Sequence, residues 1–305
     1  MIAPSGPHVS RMIRFIGHTL ALFFLFDVVV AVAYLGFDQR WIALPNLPLA
    51  MGSGVIGVVL GFRNNNSYAR WWEARTQWGR IVTNSRCLGR QAVAFISAGD
   101  APEDKTRTCD VQRRIVYDQI AYVNALRCQL RNHEPWPALA RFLSSEEIES
   151  LRGQHNAAAE IQRRMALLVQ ESFRCGWLAD VHLALLDSSL TELAKAQGDC
   201  ERIKNTPMPK QYDYFLRLIV QAHCALLPFG MVANLGLLTP IGASLLGFVF
   251  LALEKIGRDL EHPFSNSVHD VALTSICRTI EIELKQCLGE TDLPSPIEQV
   301  RGVLW

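Results

Sequence analysis

No Asp, Glu, Lys or Arg occurs from Trp41 to Phe62, and none from Leu218 to Leu253. Between Phe15 and Phe37 the only charged residue is Asp27. By contrast, 63–210 is rich in charges of both signs. A formal net charge of +1 hides this segregation and gives no reason to expect a nucleic-acid partner. Charge sorted in this way suits a membrane protein with a large water-facing part better than a uniform globule. The length of 305 residues allows one large domain or two ordinary ones.

A hydrocarbon core of roughly 30 Å needs about 20 apolar residues as helix. The runs 15–37 and 41–62 meet that length. Pro45 and Pro48 are placed to bend or delay the second helix. The run 218–253 is too long for a single span and divides near "NLGLLTPIGAS", with Pro240 in the first turn of its second half. The expectation is an all-α, four-span transmembrane protein with a large cytoplasmic helical region. Its parts are 1–62 with the first two spans, 63–210 in water, 211–254 with the last two spans, and 255–305 as a helix and tail. The first apolar run lacks a clear small-residue cleavage site and reads as a retained span, not a signal peptide.

Basic residues set the orientation. Arg11 and Arg14 precede the first span, and Arg63, Arg70, Arg75 and Arg80 follow the second. Lys204, Lys210 and Arg217 precede the third span, and Lys255 and Arg258 follow the fourth. The two short connections hold only Asp38 and Arg40, or no charge. Both termini and the middle segment are therefore expected in the cytoplasm. The eight cysteines are scattered without a C-x-x-C, which suits free thiols better than disulfides or a zinc site.

The middle segment reads as helix throughout. Val111, Ile115, Ile120, Val123, Leu126 and Leu130 fall near one face. "SSEEIESLRG" holds a capping box, Ser144 with Glu147, and a stop at Gly153. "VALTSICRTIEIELKQCLG" is a further helix, and the last residues are a tail. No H-E-x-x-H, P-loop or G-x-S-x-G is present, so a membrane-bound enzyme finds little support. His133-Glu134 sits before Pro135 at a helix end, and Glu281 and Glu283 do not share a helix face. A scaffold or sensor built on the cytoplasmic helices is the remaining rival from another class. No cofactor is implied.

The stretch "GFRNNNSYARWWEAR" carries one helix out of the apolar run without a Pro or Gly to stop it. Gly54, Val58 and Phe62 recur at spacings of four and share a stripe. Beyond Phe62 the same stripe meets Asn65 or Asn66, then Ala69. Gly57 and Gly61 form a G-x-x-x-G on another face, where small residues let helices approach in lipid. The stripe suits a dry constriction opening into a wet vestibule. Simple helix packing by the glycines is the plainer reading of the same residues. Trp71, Trp72 and Trp78 suit either interfacial anchoring or packing of the cytoplasmic helices. Asp27, costly in lipid, must face protein or water, either in a buried polar pairing or on a permeation path.

"GFRNNNSYARWWEARTQWGRIVTNSRCLGRQ" resembles the bestrophin family, particularly its bacterial members. "PMPKQYDYF" is similar to the family's stretch opening the third span, and "LEHPFSNSVHD" to its Pro-Phe stretch after the fourth. The resemblance runs in order over nearly the whole chain. It implies a homopentameric channel in membrane lipid that passes small monovalent ions passively, in a bacterial inner membrane. It places the pore neck at Gly54, Val58 and Phe62, with Gly54 standing where the family has a bulkier residue. A cytoplasmic aperture falls on Val181, between Asp180 and His182. The calcium-activated relatives carry an acidic run after Pro-Phe; here Pro263-Phe264 is followed by Ser265, Asn266, Ser267, Val268 and His269 before Asp270. One carboxylate with Asn266 nearby is a poor calcium site, so calcium activation is not expected. The choice between anion, such as chloride, and cation is left open by uncharged constrictions.

Overall fold

The computed structural model describes residues 9–98, 102–299 and 303; for 9–16, 46, 47, 102, 210 and 212 it describes the backbone alone. The side chains of Arg11, Arg14 and Lys210, used above for orientation, thus lie outside the described residues. Every regular element among the described residues is a helix. In chain order these are α1 (Val9–Gly36), α2 (Asn46–Phe95), α3 (Pro102–Leu130), the short α4 (Trp136–Leu139), α5 (Ser145–Arg152) and α6 (Ala157–Arg174). They continue with α7 (Asp180–Asn205), α8 (Lys210–Leu235), α9 (Thr239–Glu261) and α10 (Leu273–Cys287).

Local chemistry sets these bounds. Helix α2 starts at Asn46, so Pro48 falls in its first turn, where a missing N–H is harmless. It then runs 50 residues without a break through the change in polarity. The long apolar run divides where the sequence suggests: α8 stops at Leu235, Gly236 takes φ 49°, a short 3-10 turn follows, and Pro240 opens α9. With ψ at −119°, that φ is a conformation that favours glycine, which has no Cβ. The Ser144–Glu147 capping box is present in both directions, and Gly153 is the C-cap of α5. Among the described residues two stretches, Gly17–Gly36 and Asp213–Glu261, are long and apolar enough to cross a membrane, the second lying within α8 and α9. The run 41–62, in which the side chains of residues 46 and 47 lie outside the described residues, is not among them.

The helices form two compact units. One holds the described parts of Trp72–Thr206 and Pro263–Trp305; the other holds those of Pro4–Trp71 and Pro207–His262. The first packs α3 against α6, α7 and α10. Of the residues that the periodicity places on one face of α3, Ile115, Ile120, Val123, Leu126 and Leu130 are buried and Val111 is half-buried. Trp78 has no exposed surface, so it packs this unit and is not an interfacial anchor. The second unit packs α1, α8 and α9 together. Its core joins Ile56 and Leu60 of α2 to Leu216, Val220 and Cys224 of α8 and to Phe250 and Leu251 of α9.

One polar group of the first unit makes a pH prediction. Asp118 is buried on α3, 3.0 Å from Arg114, which also pairs with Glu147. Loss of water pushes its carboxyl up to about 6, against the pull of Arg114. The folded form therefore holds this proton more tightly than the unfolded chain. The contribution to stability is greatest below the ordinary carboxylate range and is lost as pH rises to about 6. Asp118→Asn should raise the thermal midpoint relative to wild type at pH 8, by the equivalent of about 1–3 kcal/mol. At pH 4 the two proteins should melt together. A variant less stable than wild type at pH 8 would show that the Arg114 pair outweighs the burial cost.

Candidate pore-lining site

Helix α2 is held by one face and bare on the other. Along the held face, Ser53 Oγ lies 2.7 Å from His223 Nε2, and Ile56 and Leu60 enter the core. Arg63 follows, with no exposed side-chain surface. These positions recur at three and four residues, the spacing of one helix face. The opposite face carries Gly54, Val58, Phe62, Asn65 and Asn66, all exposed. Val58 is 60% exposed and Phe62 66%, high values for large apolar side chains on a helix whose other side is packed. The stripe thus passes from apolar to amide along a single line, as its spacing predicts.

The G-x-x-x-G does not pack α2 within the chain. A Cβ built at Gly54, Gly57 or Gly61 would meet nothing within 4 Å. The close approach to α2 comes instead from Gly257 of α9, where a Cβ would collide with Asn64 Oδ1. Asp27 faces protein: it is buried and accepts a 3.1 Å hydrogen bond from Ser244 of α9. That pairing is the structural alternative of the two that the sequence leaves open.

Arg63 is the residue whose setting the sequence hides. Its guanidinium pairs with Asp213 at the start of α8 and lies 3.6 Å from carboxylates of both Glu254 and Glu261 on α9. Glu254 and Glu261 are themselves nearly inaccessible. Arg70, two turns further on, donates to the backbone carbonyl of Glu261 at 2.9 Å. Arg63 is therefore not a free cytoplasmic charge, as its use in setting orientation assumes, but the centre of a buried ion cluster. A signal existed: Glu254 and Glu261 are seven residues apart on α9 with Gly257 between them, which puts both carboxylates on the glycine side.

Val181 lies in the other compact unit, in the first turn of α7, and is 72% exposed. His182 beside it is fixed by stacking on Phe95, ring centroids 4.1 Å apart. Asp270 is buried, and its two oxygens accept from the Asn266 amide and the Ser267 hydroxyl. Among the described residues no group of three or more His, Cys, Asp or Glu is arranged to hold a metal ion.

Comparison with known proteins places this geometry in a family. The bacterial/fungal bestrophin pattern matches residues 8–286. The chain belongs to the bestrophin family. This bestrophin is 32% identical over 276 residues to the voltage-dependent anion channel-forming protein YneE of Salmonella typhimurium, spanning 90% of this chain and 88% of that one. Its identity to YneE of Escherichia coli K12 is 30% over 282 residues, 92% and 90% of the two chains. A bacterial bestrophin homologue from Klebsiella pneumoniae, solved by crystallography, superposes with a TM-score of 0.83 at 31% identity. That match covers 90% of this bestrophin and 99% of the Klebsiella chain.

Proposed function

We propose that this bestrophin is an ion-channel subunit and that copies of α2 line a central pathway with the stripe Gly54, Val58 and Phe62. The observation that carries the reading is the bare apolar face of a helix otherwise locked in place. Apolar rings at Val58 and Phe62 strip part of an ion's hydration and close the path by dewetting. Asn65 and Asn66 begin a wet vestibule below them. Small monovalent ions pass passively, and anions are favoured, in keeping with the anion-channel names of the relatives.

The full arrangement is a pentamer with four spans per subunit in a bacterial inner membrane, both termini and the region 63–210 in the cytoplasm. Gly54 leaves the outer ring wide. Conduction needs no calcium, a reading supported by Asp270, whose oxygens are already taken by the Asn266 and Ser267 donors. A hydrated cation would find one carboxylate where several oxygen ligands are required. Val181 is the lower constriction. Val181→Ala should leave small-anion current in place and admit larger anions that the wild type excludes.

Purified protein in liposomes tests the whole reading. A salt gradient should drive an anion-directed reversal potential. Absence of flux from properly assembled protein would leave a membrane scaffold as the better account, and a cation-directed potential would reverse the selectivity.

A further inference from the structure

We infer that Arg127 and Arg131 at the end of α3, with Thr274 in the first turn of α10, form a binding site for a small oxyanion such as inorganic phosphate. The two arginines are one helical turn apart and half-buried. Both donate to the same Thr274 Oγ1, Arg131 from 2.7 Å and Arg127 from 3.4 Å. Their Nη1 atoms are therefore at most about 6 Å apart, close enough for like charges to repel in a partly desolvated setting. Both Nε atoms are buried with no partner.

Among the described residues no carboxylate lies at ion-pair distance from either guanidinium. Other half-buried arginines of the same unit do meet carboxylates: Arg114 meets Asp118 and Glu147, Arg164 meets Glu160, and Arg278 meets Glu281. Asp270 attracts Arg131 only at longer range, and its oxygens accept from the Asn266 backbone N–H and the Ser267 hydroxyl. Burial and the neighbouring Arg127 both act to lower the Arg131 pKa, as expected of a cation packed beside another.

Two like charges held together with no carboxylate in direct contact are a receptor for an anion. Guanidinium forks match the oxygens of phosphate and carboxylate better than they match a spherical halide. Thr274 accepts from both arginines, so its own hydroxyl proton is left to donate. Its place in the first turn of α10, a 15-residue helix with no side-chain N-cap, adds the positive end of that helix. The half-exposed arginines leave the site reachable from solvent. A bound oxyanion would join the end of α3 to the start of α10.

Isothermal titration of the assembled protein in detergent with sodium phosphate, in buffers of matched ionic strength and chloride, tests this without reference to conduction. The expected result is saturable heat that sodium chloride does not reproduce. Arg131→Gln and Arg127→Gln should each weaken it about tenfold or more, the loss of a charge-assisted contact. No saturable heat in the wild type, or undiminished binding in both variants, overturns the assignment. So does an assembled structure in which a neighbouring copy's carboxylate sits between the two guanidiniums.

Discussion

Replacing Arg63 with methionine is expected to cost about 3–5 kcal/mol of stability, because it strips the counter-charge from a buried cluster. Arg63 faces three carboxylates, with Arg258 3.6 Å from Glu254 and Arg70 donating to the Glu261 backbone carbonyl. Removing Arg63 takes one positive charge away from a group that holds three carboxylates. Glu254 and Glu261 have almost no access to water, so the lost partner cannot be replaced by solvent. The thermal midpoint of the detergent-solubilised protein reads the effect. A triple variant, Arg63→Met with Glu254→Gln and Glu261→Gln, should recover most of it, since removing both signs leaves fewer uncompensated charges. Arg63→Lys should fall between, because an ammonium cannot offer the planar fork that reaches several carboxylates at once. If the methionine variant melts with the wild type, the cluster does not hold α2 against α8 and α9.

The contrast between this cluster and the exposed stripe explains how much could be read beforehand. The helices were legible because their ends carry local chemistry: the Ser144 cap, Pro240 in a first turn, Gly236 at a positive φ. The bare face of α2 was legible because a spacing of four survives into three dimensions on a straight helix. Arg63 was not, because its partners Asp213, Glu254 and Glu261 lie 150 residues or more away in the chain. A count of basic residues near a span treats each as solvated, and nothing in the local sequence distinguishes Arg63 from Arg75. The G-x-x-x-G is not filled by a neighbouring helix of the same chain. It marks a surface free of side chains, but only the surrounding helices decide whether that surface is used within the chain, and here Gly257 makes the approach instead. Asp27 needed Ser244, on a helix more than two hundred residues further along, before its role could be chosen. Local pattern therefore yields elements and faces, while the pairing of buried charges depends on which elements meet.

Phe62→Ala should have the reverse profile, with little change in stability and a large change in current. Its ring is exposed within the chain and takes no part in the core formed by Ile56 and Leu60, so truncating it opens no intrachain cavity. In the proposed assembly the same ring narrows the path in every subunit at once, and all of them are shortened together. Widening an apolar constriction lowers both the dehydration cost of an ion and the tendency of the neck to empty of water. We expect single-channel conductance in planar bilayers to rise on the order of tenfold, the change that about 1.4 kcal/mol off a barrier produces. Val58→Ala should act in the same direction but less, since a smaller side chain is removed. The pairing with Arg63 makes the outcome diagnostic. The two residues are adjacent in sequence and about 100° apart around α2, one buried and one exposed. If Phe62→Ala instead destabilises the assembly and leaves conductance unchanged, the stripe is a packing surface between subunits, and the ion path must be sought on another helix.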